Sequence, residues 1–314
     1  MSPFRYGGRT RRKIWSVVVP AAPLSRRDLL RYSLTTAAAL TGGTLLSSCS
    51  TTTPGGGPGS GLSQRVEQGQ PVRLAIANEP PYTQLQPNGE ITGAAPDVAK
   101  AVLARMRIDN IEGVVTDYNS MIPGLDAGRW DMVAAGLFMD KKRCAAVLYS
   151  APDLVSTESF AVPTGNPMNL TSIQSVTSKP DISIAVLGGS YELRAAQNLG
   201  VPDSQLQTYP LAPDALSALS AGRVNAVLLP TLSLQQVLDQ QGGDFVVTPP
   251  LDEIPKTGSG AAFRKSDQDF HRRYNPELMA FKKTPEFAAI LEKWGFDAEA
   301  SRTATTEELC AVEA

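Results

Sequence analysis

LDAGRWDMVA at residues 125–134 and LSAGRVNAVL at residues 219–228 are two versions of one pattern. Each has the form of a helix end, a glycine that stops the helix, and a short apolar strand, because glycine enters the left-handed conformation at low steric cost. The runs MVAA at 132–135 and AVLL at 226–229 are typical of strands buried on both faces. A helix-to-strand unit that occurs twice predicts two similar α/β lobes, each with a mainly parallel sheet flanked by helices. The cleft between two such lobes is a natural place to hold a small molecule.

The first residues have the pattern of an export signal. SRRDLL at residues 25–30 is a twin-arginine pattern, a weakly apolar stretch follows over residues 32–46, and LSSC ending at Cys49 has the form of a lipoprotein cleavage box. We therefore expect residues 1–49 to be a twin-arginine lipoprotein signal whose cysteine becomes the lipid-bearing N-terminus, with residues 50–62 as a flexible linker. The alternative is a chance arginine pair before a short transmembrane helix, but the apolar stretch is short and rich in Thr and Gly.

The charge balance bears on the partners. Residues 1–48 hold eight basic residues against one acidic residue, so the net charge of −2 for the whole chain becomes −9 for the remainder. Such an acidic domain argues against nucleic acid and against anionic membrane surfaces as partners. The 266 residues after residue 48 suit two modest lobes, and we expect a monomer.

The order of predicted elements sets the lobe boundaries. We expect residues 63–162 and 257–314 to form the first lobe and residues 163–256 to form the second. Residues 159–163 have the extended character of a crossover between the lobes. In the first lobe, Asn119 is placed to cap the helix that precedes the first copy of the repeat.

Cysteine and histidine usage bears on the compartment and on metals. Cys144 and Cys310 remain beside the lipidated cysteine, and disulfides persist in exported proteins, so we expect these two residues to pair and to pin the C-terminal tail to the first lobe. Two free thiols are the alternative. His271, the only histidine, lies in the charged stretch DFHRR and is expected at the solvated surface. Because no Cys/His cluster is present in the sequence, we expect neither a metal nor a cofactor.

Residues with binding chemistry follow the predicted strands directly. In open α/β sheets, ligands bind beyond the carboxyl ends of the strands. In the first lobe these positions hold an acid, three aromatic residues and a base: Glu79, Tyr82, Tyr118, Phe138 and Arg143. In the second lobe they hold a turn at a helix start and the residues after an apolar strand: Gly189, Ser190, Pro230 and Thr231.

Together these residues fit a small zwitterion with a diffuse positive charge. Arg143 can hold a carboxylate in a bidentate fork, and the helix start after Gly189 offers backbone N–H donors to an anion. Three aromatic faces can enclose a cation, each contributing ~0.5–2 kcal/mol when desolvated. Glu79 can accept hydrogen bonds from a cationic N–H group. Each residue alone also has an ordinary role in sheet packing or as a solvated charge, so the prediction rests on the group.

The order of elements from Val72 to Phe296 resembles the periplasmic solute-binding proteins of polar-amino-acid-type ABC importers. The resemblance implies the type II periplasmic-binding-protein fold and an Arg beyond the GRxD strand that grips the ligand carboxylate, a position that Arg143 matches. The family also has an Asp after the matching second-lobe strand, where it binds an α-ammonium group. Here that position is Pro230, and a proline cannot replace a carboxylate, which argues against an ordinary α-amino acid ligand.

Four motifs resemble one branch of this family, the ectoine- and hydroxyectoine-binding components: NEPPY at 78–82, YNSMIPGL at 118–125, KRC at 142–144 and TTEELC at 305–310. Ectoine carries a carboxylate and a ring amidinium but no α-ammonium group, which agrees with the lost Asp.

The resemblance to this branch implies roles for the predicted site residues. Tyr82, Tyr118 and Phe138 would form an aromatic cage around the cationic ring. Glu79 would bind the ring nitrogens and Arg143 the carboxylate. Asp140 stands where many relatives have Thr, so its side chain would either repel the carboxylate or point away from it.

The resemblance implies capture and closure. The solute would bind one lobe, the lobes would close about crossovers near residues 161–163 and 257–262, and an ABC permease in the membrane would receive the closed form. An amino-acid or betaine receptor is the nearest alternative. A dehydratase or lyase on the same scaffold is another, with Glu79 or Asp140 as acid or base. The sequence has no Ser-His-Asp, Cys-His or phosphate-loop pattern, so we expect a binding protein outside the cytoplasm and not an enzyme.

Overall fold

The computed structural model describes residues 61–241 and 244–313, which all belong to one compact unit. The helices are α1 (Leu62–Glu67), α2 (Ala94–Arg105), α3 (Tyr118–Asp126), α4 (Lys141–Ala146), α5 (Ile173–Thr177), α6 (Tyr191–Asn198), α7 (Ala212–Ser220), α8 (Thr231–Gln241), α9 (Gln268–Phe281), α10 (Pro285–Lys293), α11 (Ala298–Thr303) and α12 (Thr306–Cys310). The strands are β1 (Val72–Ile76), β2 (Gln84–Leu85), β3 (Ile91–Thr92), β4 (Ile111–Val115), β5 (Met132–Val133), β6 (Leu148–Tyr149), β7 (Leu154–Ser156), β8 (Glu158–Pro163), β9 (Ile184–Leu187), β10 (Leu206–Tyr209), β11 (Ala226–Pro230), β12 (Phe245–Val247), β13 (Thr257–Ser259) and β14 (Ala262–Phe263). The export signal predicted for residues 1–49, with Cys49, lies outside the described residues.

Two five-stranded sheets organise the described chain. The first has the strand order β4-β1-β5-β14-β6, and the second has the order β10-β9-β11-β8-β12. Within each sheet all strands but one run in the same direction, and the exceptions are β14 in the first sheet and β8 in the second. The prediction of two lobes with mainly parallel sheets flanked by helices is therefore confirmed.

The repeated sequence occupies equivalent places in the two sheets. α3 leads to β5, the third strand of the first sheet, and α7 leads to β11, the third strand of the second. Asp131 and Asn225, at matching positions of the repeat, each accept a backbone N–H: Asp131 from Arg73 in β1 at 3.0 Å, and Asn225 from Ser183, the residue before β9, at 2.8 Å. Their own N–H groups donate to the carbonyls of those same two residues. The two copies therefore attach their strands by the same local geometry.

Asp131 also joins three segments of the first lobe. Its buried carboxylate pairs with Arg65, Arg73 and Arg264, at 2.5, 2.9 and 3.3 Å. Burial would raise the pKa of Asp131, but hydrogen bonds from Arg73 and Arg65 outweigh it and lower the pKa to about 2. Because Arg65 lies in α1 and Arg264 follows β14, one carboxylate holds together parts of the chain that are far apart in sequence.

Two short strands pass between the lobes. β7 pairs with β13 in antiparallel fashion, with Ser156 opposite Thr257. β7 runs on into β8 of the second sheet, and β13 runs on into β14 of the first. Residues 159–163, expected to form the crossover, instead belong to β8, which is hydrogen-bonded to β11 and β12. The chain thus enters the second lobe several residues before the expected boundary at residue 162, because this apolar run has a strand partner on each side.

Helix α3 is capped by a different residue from the one expected. The side chain of Asp117, not of Asn119, accepts the backbone N–H of Ser120 at 3.0 Å. Asn119 lies inside the helix, against the turn at Gly188 and Gly189 in the second lobe. A Cβ atom at Gly189 would lie 2.2 Å from the Asn119 Oδ1, and this glycine has a φ of +71°. Only glycine combines this conformation with so close an approach of the two lobes.

The described residues also correct one surface prediction. His271 is half-buried: its Nε2 lies 2.8 Å from the backbone oxygen of Tyr149, and its ring packs against Phe263. Charged neighbours in sequence were a poor guide because they point from other sides of α9. Within residues 61–241 and 244–313, no group of three or more His, Cys, Asp or Glu residues is arranged to hold a metal ion. In the same part of the chain, no helix combines the length and apolar character needed to cross a bilayer.

A disulfide joins Cys144 to Cys310, the two cysteines expected to pair, with their Cα atoms 5.8 Å apart. Cys144 lies in α4 and Cys310 ends α12. The bond therefore fixes the C-terminal helix to the short helix that also carries Arg143.

Candidate functional site

A small cavity lies between the two lobes. Its walls come from both lobes: Glu79, Tyr82, Tyr118, Gly136, Phe138, Arg143, Ser190, Tyr191, Glu192 and Pro230. The structure brings most of the predicted site residues together here. Gly189 and Thr231 do not line the cavity, whereas Gly136, Tyr191 and Glu192 do and were not predicted. Tyr191 and Glu192 directly follow the Gly-Gly-Ser turn at residues 188–190. The sequence prediction included this turn but stopped at its serine.

Glu79 is a buried acid that both lobes contact. The Tyr118 hydroxyl lies 3.1 Å from its Oε2 and also 3.2 Å from the backbone oxygen of Ala135, and the Ser233 hydroxyl of α8 donates to Oε1 at 2.8 Å. Burial raises the pKa of Glu79 to about 7, and the charge of Glu192 adds to the rise. Near neutral pH the carboxyl therefore exchanges easily between its neutral and charged forms, and a cationic donor in the cavity would favour the charged one.

Aromatic rings form one side of the cavity. The ring centroids of Tyr82 and Phe138 lie 5.6 Å apart, and those of Phe138 and Tyr191 lie 6.0 Å apart, both in edge-to-face arrangements. The hydroxyl of Tyr82 donates to Ser156 in β7, so its ring is fixed against a crossing strand. A Cβ atom at Gly136 would lie 2.7 Å from the Tyr82 ring, so a glycine there makes room for the aromatic wall.

Arg143 brings a buried positive charge to the cavity. Its guanidinium donates to the backbone oxygen of Phe138 at 2.7 Å and to that of Gly189 in the second lobe at 2.9 Å. Burial lowers the pKa of Arg143, and the nearby charge of Arg194 lowers it further. Its closest carboxylate contact is a looser one, from the guanidinium Nε to Asp140 at 3.7 Å. The guanidinium therefore retains capacity for an anionic partner.

The side chain of Asp140 points away from the cavity. Its Oδ1 accepts the backbone N–H of Arg143 at 2.7 Å and so caps α4. Its Oδ2 pairs with Arg194 of α6, which also donates to the backbone oxygen of Ser190 at 2.8 Å. Of the two expectations for this residue, pointing away is the one that the geometry matches. Asp140 is instead part of an ion pair between the lobes.

The remaining second-lobe residues have local roles. The Ser190 hydroxyl accepts the backbone N–H of Leu193 at 3.2 Å and caps α6. The Thr231 hydroxyl lies 2.9 Å from that of Thr157 and 2.8 Å from that of Ser159, so it joins the start of α8 to the β7–β8 segment and is turned from the cavity. The carbonyl of Gly189, and not its N–H, takes part in the site by accepting from Arg143.

Comparison with known proteins gives a family match over most of the chain. Residues 72–298 match the bacterial extracellular solute-binding proteins, family 3. The probable amino-acid ABC transporter periplasmic-binding protein y4tE of Sinorhizobium fredii is 36% identical over 249 residues, covering 76% of this chain and 82% of that relative. The L-arginine-binding protein of Pseudomonas aeruginosa is 23% identical over 231 residues, covering 72% and 88% of the two chains.

Solved structures resemble the described fold. The crystal structure of EhuB in complex with hydroxyectoine has a TM-score of 0.77 at 40% identity, covering 79% of this chain and 97% of that one. The ancestral amino-acid-binding protein AncCDT-1, a precursor of cyclohexadienyl dehydratase, has a TM-score of 0.66 at 24% identity, covering 74% and 98%. The second likeness concerns the fold alone.

Proposed function

The chain belongs to the bacterial extracellular solute-binding proteins, family 3, of the amino-acid ABC transporter type, and we propose that it captures ectoine or hydroxyectoine for import. The observation that carries this proposal is the make-up of the cavity. It combines a buried Arg143 and an aromatic wall with Pro230, which stands where the family resemblance implies an ammonium-binding Asp. Such a cavity suits a carboxylate joined to a diffuse cation without an α-ammonium group. The likeness to EhuB, whose structure holds hydroxyectoine, supports the same ligand class.

Each part of the solute has a residue to match it. The carboxylate would take a bidentate pair from Arg143, and charge-assisted pairs of this kind are among the stronger hydrogen bonds in proteins. The cationic ring would lie against Tyr82, Tyr118 and Phe138, where desolvated cation–π contacts contribute ~0.5–2 kcal/mol each. Glu79 would accept the ring N–H groups, and the arriving positive charge would lower the pKa of its carboxyl.

Closure of the two lobes would complete the site. Three contacts already join the lobes around the cavity: Arg143 to the Gly189 carbonyl, Asp140 to Arg194, and Ser233 to Glu79. A shared ligand adds to them, because burying the charges strengthens their attraction. The paired strands β7 and β13 pass between the lobes, so we expect the lobes to rotate about them. This hinge takes the place of residues 161–163, which were expected from the sequence.

We further propose that residues 1–49 export the protein and that lipid on Cys49 anchors it at the outer face of the cytoplasmic membrane or in the periplasm. The solute would then pass to a membrane permease, with the binding protein acting as a monomer. The proposal includes the domain organisation expected from the sequence. A signal is followed by a linker over residues 50–62, then by the two lobes, and the chain finally returns to the first lobe.

Calorimetric titration tests the ligand directly. The protein would be titrated with ectoine, hydroxyectoine, glycine betaine and the common amino acids. We expect saturable binding of ectoine or hydroxyectoine and no heat from the amino acids. Binding of an amino acid without binding of ectoine or hydroxyectoine would overturn the proposal. The protein would then be an amino-acid receptor. The two curated relatives reported above, y4tE and the L-arginine-binding protein, bear the names of binding proteins, which favours binding over a dehydratase or lyase activity.

A further inference from the structure

The arginine that faces the cavity lies in a helix that has little stability of its own. α4 has only six residues, and isolated helices shorter than about 12–15 residues are marginal in water. Its first turn is capped by Asp140, whose side chain accepts the backbone N–H of Arg143 at 2.7 Å. The position of Arg143 therefore depends on the contacts that hold α4 from outside.

The C-terminal segment, residues 305–313, holds α4 at two points. The disulfide links Cys144, the residue directly after the arginine, to Cys310 at the end of α12. The backbone N–H of Lys141 donates to the carbonyl oxygen of Val312 at 2.9 Å. One covalent bond and one hydrogen bond thus attach the fourth and the first residues of α4 to the same segment, on either side of the arginine.

The same segment also supports the chain that leads into α4. Leu309 of α12 lies over Gly258 of β13, where a Cβ atom would lie 2.5 Å from the Leu309 Cδ1. The Gly258 carbonyl accepts the backbone N–H of Met139 at 2.8 Å, and Phe138 forms a β-bridge with the next residue of β13. The carbonyl of Phe138 in turn accepts from the Arg143 guanidinium at 2.7 Å. The segment therefore supports both the helix that carries the guanidinium and the main-chain oxygen that orients it.

The disulfide is the strongest restraint on this arrangement. α12 has five residues, of which only Leu309 is buried, and a capping box formed by Thr305 and Glu308 begins it. A helix this short is not stable in isolation, so the covalent bond keeps it against α4. Cys144 and Cys310 are both half-buried, which leaves the bond within reach of a small thiol reagent.

We propose that the C-terminal segment positions the Arg143 guanidinium for the solute's carboxylate, and that the Cys144–Cys310 disulfide makes the solute affinity sensitive to redox state. A dithiol would break the S–S bond by supplying two electrons and two protons, which leaves two cysteine thiols, and would itself be oxidised to a disulfide. α12 would then separate from α4, and Arg143 would gain freedom that solute binding must remove. The change in affinity rests on the proposed function, in which Arg143 binds a carboxylate.

Calorimetric titration with hydroxyectoine, before and after reduction by dithiothreitol, tests the proposal. Ordering one mobile side chain corresponds to about threefold to tenfold in affinity, so we expect reduced wild type to bind more weakly by this factor. The Cys144→Ser/Cys310→Ser double variant should match the reduced wild type, and reoxidation of the wild type should restore its affinity. An affinity that does not change on reduction would overturn the proposal.

A control separates positioning from a general loss of stability. Asp131→Asn removes an ion-pair centre of the same lobe that does not line the cavity, so it should change the affinity by less than about twofold. Circular dichroism should show that the reduced protein remains folded. A loss of affinity in Asp131→Asn equal to that on reduction, or unfolding on reduction, would assign the disulfide to stability alone and overturn the proposal.

A second measurement needs no ligand. In ¹⁵N relaxation of the arginine Nε–H groups, Arg143 should become more mobile on reduction, with its signal identified by its loss in Arg143→Lys. Arg264, which pairs with Asp131 and Asp267 in the same lobe, should keep its order. Equal order of Arg143 in the oxidised and reduced proteins would overturn the proposal. Wild-type protein that binds neither ectoine nor hydroxyectoine would refute the proposed function alone, because the mobility of Arg143 is measured without either.

Discussion

Protonation of Glu79 makes the affinity for the proposed ligand depend on pH. The residue is buried, and its raised pKa of about 7 belongs to the ligand-free cavity. An amidinium needs a charged acceptor, so binding below this pKa must first remove the proton, and the affinity must rise with pH. At about pH 5 roughly 1% of Glu79 is ionised, which corresponds to affinity ~100-fold, or ~2.7 kcal/mol, below that at about pH 8. Above the pKa the affinity should level off.

The assay is calorimetric titration with hydroxyectoine over this pH range, in pairs of buffers that differ in ionisation enthalpy. Below neutral pH the binding heat should change with the buffer, because each bound ligand releases a proton. Glu79→Gln should bind more weakly at high pH and should lose the pH dependence. Glu67→Gln is the matched control, since Glu67 is an exposed acid of α1. An affinity that is flat or falls with rising pH, or a slope that survives in Glu79→Gln, would refute the reasoning.

Three further predictions concern the aromatic wall, the disulfide and the arginine cluster. Phe138→Ala should weaken ligand binding by about tenfold while Tyr149→Ala, a buried aromatic outside the cavity, leaves it nearly unchanged; equal effects by calorimetry would count against an aromatic cage. Replacing Cys144 and Cys310 by Ser should cost up to ~5 kcal/mol in urea unfolding, from a sequence separation of 166 residues, and a reductant should then have no further effect. The pKa of Asp131 is lowered to about 2, so its charged form stabilises the folded protein above about pH 4. This stabilisation, roughly 2 kcal/mol, is lost as the pH falls toward 2. Asp131→Asn should lack this acid-dependent loss of stability in unfolding measured by circular dichroism.

The fold was predictable because its deciding signals are local. The two copies of the repeat contain the helix end, the glycine and the buried strand in one short stretch, and their structural counterparts are equivalent. The crossover was misplaced because residues 159–163 have the same extended, apolar pattern whether they link lobes or pair in a sheet. These residues form a strand of the second sheet because β11 and β12 lie on either side of them. Both strands are more than sixty residues away in sequence, so the local pattern cannot reveal the pairing.

The site was predictable as far as strand ends determine position. Glu79 and Phe138 follow their strands closely, Arg143 lies in the helix after β5, and all three line the cavity. Thr231 also follows a strand, but its hydroxyl is turned to Thr157 and Ser159, a matter of side-chain direction that position in sequence does not determine. Glu192 escaped prediction because the Gly-Gly-Ser turn was considered only as far as the serine, although Tyr191 and Glu192 follow it directly and line the cavity.

The order in which the strands enter the two sheets also has a consequence for folding. The second sheet draws all its strands from one continuous part of the chain, between β8 and β12. The first sheet must wait, because β14 fills the place between β5 and β6 and is made only after the whole second lobe. Until then, β5 and β6 have unpaired edges, which are sites of mispairing between chains. Non-local pairing of this kind is slow, so the second lobe should acquire native structure first. The first lobe remains prone to aggregation until β14 pairs with β5 and β6.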